Sequence, residues 1–158
     1  MRSNSQNAAA WRQASGIVGR SIQTTLKGVE REVSSRAYRA SNHLRNASLF
    51  VLRGQRGGRR YRVSGTRQSY QASAPGESPA NRTGIFRLSW RTRVRVEKQG
   101  NKFRAISSIE SGLRVGKWNL GELLEGGTRR MKPRPYKQAV RDRAMPELRE
   151  LYRAPYRV

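Results

Sequence analysis

The stretch "IVGRSIQTTLKGVEREVSSRAYRASNHLRNASLFV", residues 17–51, decides the fold because its apolar residues recur with a single period. From Val18 to Val51, apolar or small residues stand three or four positions apart, which places them along one face of an α-helix. No proline interrupts the run, and Gly28 is its weakest interior position. We predict one long helix over residues 17–53, preceded by a flexible N-terminal arm over residues 1–16.

A helix of this length, ~50 Å at ~1.5 Å per residue, exceeds the width of the domain that the chain can form. Its apolar stripe is narrow and rich in alanine. Hydrophobic residues make up 35% of the chain, below the ~45–50% of an average globular domain. We therefore expect the helix to pack against another subunit as well as against its own sheet.

The segment "IFRLSWRTRVRVEKQ", residues 85–99, alternates strictly and predicts a strand. Its apolar face holds Leu88, Trp90, Thr92, Val94 and Val96, and arginines occupy the opposite face. After a turn at "KQGN", the segment "KFRAISSIES" returns with Phe103, Ala105, Ser107 and Ile109 on one side. The pair predicts a β-hairpin with one core face and one arginine-rich face.

The remaining segments complete an α+β body over residues 54–158. Residues 54–84 are dense in Gly, Ser, Pro and Arg and predict a long loop, with a possible short strand at "RRYRV". A short helix should end at Gly126–Gly127, and "MKPRPY" should be extended because of its prolines. A last helix should begin near Tyr136 and be kinked or split at Pro146. The predicted fold class is α+β, with a long N-terminal helix, a small antiparallel sheet built on a β-hairpin, and a C-terminal helix.

The 158-residue chain has a net charge of +24, spread along its whole length. Residues 1–70 carry +12, and residues 71–115 and 116–158 carry +6 each. Such a field attracts polyanions, either a nucleic acid or an acidic protein surface. The absence of cysteine excludes disulfides, a thiolate nucleophile and zinc-finger ligands. No run approaches the ~20 apolar residues of a membrane span, and we expect no membrane partner.

Motifs for catalysis are missing from the sequence. His43 has no carboxylate or cysteine partner nearby in the chain, and we expect a surface or packing role for it. Glu122 and Glu125 are one helical turn apart, but a salt-bridged or solvated face explains them better than a catalytic pair. The segment "GGTRRMK" lacks the spacing of a phosphate-binding loop. We expect no enzymatic activity, no cofactor and no metal.

Nucleic-acid binding has better support from the charge. Arg87, Arg91, Arg93 and Arg95 are the candidate DNA-facing residues on the outer face of the predicted strand. Base-stacking modules carry aromatics on their basic face, whereas Trp90 points the other way. The sequence therefore favours non-specific contact with a polyanion over sequence readout. A charged, solvated outer face of a half-buried sheet is the equally weighted alternative.

Two motifs, "SAPGESPANRTGIFRLSW" and "LGELLEGGTRRMKPRPYKQAV", together resemble the small tail-completion and head–tail joining proteins of tailed phages. The matching residues are Ala74, Pro75, Thr83, Gly84, Leu88, Ser89, Glu125, Gly127, Thr128, Met131, Arg134, Pro135, Tyr136 and Ala139. The resemblance covers about residues 70–145. Within this class, the chain resembles the lambdoid siphophage minor tail component type. It implies a non-enzymatic virion protein that forms a ring at the neck or at the head-proximal end of the tail.

The same resemblance implies partners and an interface. The ring would be a hexamer or dodecamer of this chain, in contact with neighbouring neck, connector or tail-tube proteins and with transiting genomic DNA. It would form in the host cytoplasm and reside in the virion. The interface residues are expected to be Thr83, Gly84, Glu125, Gly126, Gly127, Thr128, Arg129, Arg130, Met131, Arg134, Pro135 and Tyr136.

Two questions stay open at the level of sequence. The segment "EGGTRRMKPRP" is interpreted as an extended connector whose arginines meet acidic groups of an adjacent subunit. The alternative is an intramolecular corner with solvated charges. For the whole chain, the alternative function is that of a stand-alone, non-specific nucleic-acid-binding protein.

Overall fold

The computed structural model describes residues 4–54 and 56–156 and confirms the α+β class. The helices are α1 (Asn4–Val51), α2 (Ile85–Leu88), α3 (Leu120–Gly126) and α4 (Lys137–Arg153). The strands are β1 (Arg60–Arg62), β2 (Ser69–Gln71), β3 (Trp90–Gln99), β4 (Lys102–Ser111), β5 (Arg114–Val115) and β6 (Trp118–Asn119). They form three separate antiparallel pairs, β1–β2, β3–β4 and β5–β6.

Helix α1 begins at Asn4, not at residue 17, so the expected arm over residues 4–16 is helical. Ala8, Ala9 and Ala10 explain the earlier start, because alanine has the highest helix propensity. The 48 residues of α1 span ~72 Å. Residues 7–25, the exposed half of α1, are exposed at every position, whereas residues 26–51, the packed half, contain all of its buried positions.

The predicted hairpin is present as β3–β4, with Trp90 opposite Ser111 and Gln99 opposite Lys102. Trp90, Thr92 and Val94 are buried or half-buried, and Arg91, Arg93 and Arg95 are exposed, as the alternation predicts. The return strand is also as predicted, with Phe103, Ala105, Ser107 and Ile109 half-buried. Val96, expected in the core, is exposed because it lies near the open tip of the hairpin.

The packed half of α1 lies against β3, β4 and α4. Apart from Arg36, its buried positions are small residues: Ala37, Ala40, Ser41, Ala47 and Ser48. Small side chains let backbones approach closely, and the hydroxyl of Ser107 on β4 donates to the Ala37 carbonyl at 2.8 Å. The C-terminal segment is fixed to the same half of α1 by the buried Arg36. Its Nη1 and Nη2 donate to the carbonyls of Ala154 at 2.6 Å and Pro155 at 2.5 Å.

The core centres on three aromatic side chains from three parts of the chain. Phe86, Trp90 and Tyr136 meet edge to face, with ring centroids 5.6 to 5.8 Å apart. Ala47, Leu52, Val140 and Ala144 complete the buried cluster around them. Edge-to-face pairs add ~0.5–1.5 kcal/mol each to the gain from burial, so this cluster ties α1, β3 and α4 together.

The start of the predicted strand is wrong, because residues 85–88 form α2 instead. Gly84, with φ of 77°, turns the chain into this helix, and Ser89 ends it. As a result, Leu88 is exposed rather than in the core, and Arg87 does not belong to the row of arginines on β3.

Three other elements differ from the sequence-based expectation. The long loop of residues 54–84 contains the β1–β2 hairpin, of which only a possible strand near residues 59–63 was expected. The β5–β6 pair was not expected, although α3 does end at Gly126. Helix α4 continues through Pro146 to Arg153. Pro146 is exposed, so water can satisfy the backbone carbonyl that the proline leaves without a partner.

Candidate interaction surfaces

The corner before α4 is held by hydrogen bonds within the chain. The carboxylate of Glu125, in α3, accepts hydrogen bonds from the backbone N–H groups of Tyr136 at 3.0 Å and Lys137 at 3.2 Å. A carboxylate at a helix N-terminus satisfies free N–H groups and interacts favourably with the helix dipole. Glu125 therefore caps α4 and fixes its entry angle, while the Tyr136 ring is buried in the core.

Between α3 and α4, residues 128–131 form a tight turn rather than an extended connector. Thr128 and Met131 exchange backbone hydrogen bonds of 2.8 and 3.2 Å. Gly127 has φ of 75°, and a Cβ there would lie 2.7 Å from the Met131 carbonyl oxygen, so this position requires glycine. Arg129 and Arg130 are exposed at the tip, and residues 132–136 belong to no helix or strand.

Arg134 joins this corner to the preceding loop. Its Nη1 donates to the Ser73 carbonyl, and its backbone N–H donates to the Leu124 carbonyl at 2.8 Å. The neighbouring Glu77 accepts from the backbone N–H groups of Gly57 and Ala74. These hydrogen bonds lower the pKa of Glu77 below its usual value.

A groove of 560 Å³ lies between this corner, α2 and the base of the β1–β2 hairpin. Its apolar wall includes Leu52, Ile85, Phe86, Leu113, Leu124 and Met131. Four of the expected interface residues, Thr83, Gly84, Met131 and Arg134, line it, so the structure brings the two resemblance motifs together there. The other expected interface residues lie outside the groove, with Gly126, Thr128 and Pro135 exposed at the surface.

The row of arginines on β3 is partly neutralised by acidic neighbours. Arg93 pairs with Glu110 across the hairpin at 2.9 Å, and Arg95 pairs with Glu97 at 3.1 Å. Arg91 is exposed on the same face. Arg87 lines the groove instead, and its Nε is buried without a hydrogen-bond partner.

The exposed half of α1 carries an apolar stripe that continues the buried face of the packed half. The stripe consists of Trp11, Val18 and Ile22, and the half-buried Leu26, Val29 and Val33 of the packed half continue it along the same face at ~100° per residue. Trp11 is 77% exposed, Val18 57% and Ile22 53%. Contiguous exposed apolar surface of this kind marks interaction sites in soluble proteins.

The candidate catalytic groups have other partners. His43 Nδ1 contacts the carboxylate of Glu147 on α4, a pair 104 residues apart that the sequence could not reveal. Glu122 pairs with Lys137 Nζ at 3.0 Å, as expected for a salt-bridged face. Among the described residues, no group of three or more His, Cys, Asp or Glu side chains is arranged to hold a metal ion.

Comparison of the chain with protein-family models, curated proteins and solved structures finds no match. Within residues 4–54 and 56–156, no helix is both long enough and apolar enough to cross a membrane.

Proposed function

We propose that this chain is a structural subunit that assembles with copies of itself into a ring in the neck or at the head-proximal end of a phage tail. The observation that carries the proposal is the apolar stripe on the exposed half of α1. A single copy leaves Trp11, Val18 and Ile22 in water although they share the face that the packed half buries. Burying a Val or Ile side chain contributes ~1.5–3 kcal/mol, so a partner that covers the stripe is strongly favoured.

The groove on the same chain supplies a surface that can accept the stripe. Its apolar lining includes Phe86, Leu113 and Met131, and it is separate from the stripe. When two different patches of one chain bind each other, each copy contacts the next head to tail, and the assembly is a ring when the rotation between neighbouring copies closes. The proposed contact therefore joins the exposed half of α1 of one subunit to the groove of its neighbour.

The proposed location of this ring follows from the resemblance to head–tail joining proteins. The proposed location is the virion, after assembly in the host cytoplasm, with connector or tail-tube proteins above and below. The proposed ring has six or twelve copies, by analogy with that class. No catalytic role is part of the proposal.

Light scattering and negative-stain imaging test the oligomeric contact. The double variant V18Q/I22Q removes apolar area from the stripe and keeps glutamine's good helix propensity. The matched control is I17Q, because Ile17 is 54% exposed, like Ile22, but lies ~140° away around the helix. We expect rings or higher oligomers for the wild type and I17Q, and monomers for V18Q/I22Q. A wild-type chain that stays monomeric at all concentrations, or equal behaviour of both variants, would contradict the proposal.

The second candidate is a stand-alone, non-specific nucleic-acid-binding protein, favoured by the +24 charge. A monomer or dimer that binds DNA with steep salt dependence, and that forms no ring, would favour this reading.

A further inference from the structure

The β1–β2 hairpin contributes little to the core of the protein. All three residues of β1 are exposed, and only Tyr70 of β2 is half-buried. A two-stranded ribbon with both faces in water is marginally stable by itself. Its side chains are therefore available to an external partner.

The hairpin is nevertheless held firmly at its base. Gly58 and Ala72 are joined by a backbone hydrogen bond of 3.0 Å, and a Cβ on Gly58 would lie 2.5 Å from the Ala72 carbonyl oxygen. The Glu77 carboxylate accepts two bonds from the Gly57 N–H, of 2.9 and 3.0 Å. The ribbon is thus presented in a defined position relative to the body, which lowers the ordering cost of binding.

The sequence around this hairpin is rich in arginine and poor in acidic residues. Arg53, Arg56, Arg59, Arg60, Arg62 and Arg67 fall within fifteen residues, and no Asp or Glu occurs from residue 33 to 76. Glu77, the next acid, is bonded to backbone N–H groups at the base. In the described part of the chain, no carboxylate pairs with Arg59, Arg60, Arg62 or Arg67.

Aromatic rings lie among these arginines. Tyr61 and Tyr70 face each other across the two strands, with ring centroids 6.0 Å apart and planes at 28°. The guanidinium of Arg59 lies 5.9 Å from the Tyr61 ring, and that of Arg82 lies 5.8 Å from the Tyr70 ring. Basic and aromatic groups on one exposed element are typical of surfaces that bind nucleic acids. Tyr61 and Tyr70 share a face of the ribbon with Arg59, whereas Arg60 and Arg62 project from the opposite face.

We propose that the β1–β2 hairpin binds the phosphate backbone of a nucleic acid through Arg60, Arg62 and Arg67. Arginine suits this role because its planar fork of donors matches phosphate oxygens. The inference goes beyond the assembly role, concerns a different surface from the stripe, and stands without it. It also moves the expected DNA contact away from Arg91, Arg93 and Arg95, two of which are already paired with glutamates.

The test compares two triple variants with the same loss of charge, R60Q/R62Q/R67Q and R91Q/R93Q/R95Q. Binding to a 30-base-pair duplex DNA and to a single strand of the same length is measured over a series of salt concentrations. Each phosphate contact on duplex DNA contributes ~0.9 to the slope of log K against log salt. We expect the hairpin variant to lower the slope by ~2–3 and the β3 variant by less than ~1. Circular dichroism and melting curves verify that both variants are folded.

Several results would overturn the inference. An equal decrease in the salt slope of the two variants would show that only the overall charge matters. A larger decrease in the β3 variant would place the DNA contact on β3. A wild-type chain without salt-dependent DNA binding would also contradict it. If R60Q/R62Q/R67Q binds DNA normally but fails to join its protein partners, the hairpin is a protein-docking surface. The variant R60K/R62K/R67K should keep most of the wild-type slope, and its loss would contradict a phosphate contact based on charge.

Discussion

The two halves of α1 continue one apolar face in opposite surroundings. In the packed half, the buried residues of that face are small, and include Ala37, Ala40 and Ala47. In the exposed half, the face is formed by the larger Trp11, Val18 and Ile22, which lie in water. The helix therefore leaves Trp11, the largest apolar side chain of this face, in water.

This difference teaches that the two halves meet different kinds of surface. Alanine and serine let the helix backbone lie close to β4 and α4, so the packed half matches a surface that the chain itself supplies. Large side chains need a surface with room between its own side chains. Most helical stability in proteins comes from tertiary packing, so a partner that covers the stripe also stabilises the exposed half.

The largest difference in unfolding free energy is expected between a tryptophan-to-alanine substitution in the core and the same substitution on the stripe. Trp90→Ala removes the centre of the aromatic cluster and should lower the free energy of unfolding by ~3–5 kcal/mol. Trp11→Ala should change the stability of the monomer by less than ~0.5 kcal/mol, because that ring is in water. Urea denaturation below the concentration of assembly measures both. Similar losses for the two variants would show that the exposed half is packed within the monomer.

Arg36 tests how firmly the packed half is joined to the C-terminal segment. Arg36→Met removes the bonds to the Ala154 and Pro155 carbonyls and leaves those acceptors without their charged donor. We expect a loss of ~2–3 kcal/mol in unfolding free energy. Arg20→Met, at an exposed position of the other half, is the control and should be within ~0.5 kcal/mol of wild type. A loss as small as that of the control would show that the C-terminal segment does not stabilise the helix.

Glu125 tests the orientation of α4, the helix against which the packed half lies. Glu125→Gln should cost ~1 kcal/mol, because the amide bonds the N-terminus of α4 less strongly than the carboxylate does. Glu122→Gln, one turn away in α3, breaks only an exposed ion pair with Lys137 and should cost ~0–0.5 kcal/mol. Thermal melts at neutral pH measure both, and the reverse order of effects would contradict the assigned cap.

The smallest effect on stability is expected from the ionisation of Tyr136 at alkaline pH. Burial, with the nearby Glu125 and Glu122 carboxylates, raises the pKa of Tyr136 in the folded protein. Above the unfolded pKa of ~10, the unfolded chain releases the phenol proton and the folded chain keeps it, so stability falls as pH rises. Tyr136→Phe should flatten this decline between about pH 10 and 11, as followed by chemical denaturation. An unchanged slope would show that another group causes the decline.

Much of this fold could be predicted because its signals are local. The period of α1 and the alternation of β3 each depend on neighbouring residues, and the helix and the strand that they predict were both confirmed. The extent of α1 was underestimated because its first turns are polar and small, although alanines there favour a helix. The α2 turn was missed because the residues after Gly84 also fit an alternating strand.

The candidate surfaces depended more on contacts between distant residues. The bond from Arg134 to Ser73 spans 61 residues, and the contact of His43 with Glu147 spans 104, so no pattern in the sequence indicated either. The sequence did indicate that the α1 stripe was too long for one domain. It did not separate the paired arginines of β3 from the unpaired arginines of β1–β2, because that difference depends on strand register and on the bonds of Glu77.

Hydrogen exchange along α1, measured at two protein concentrations, tests the central claim most directly. We predict slow exchange at residues 37–48 under both conditions, and slow exchange at residues 11–25 only at the concentration where subunits associate. Protection of both halves in a monomer, or rapid exchange of residues 11–25 at every concentration, would contradict the claim that the exposed half is a subunit contact.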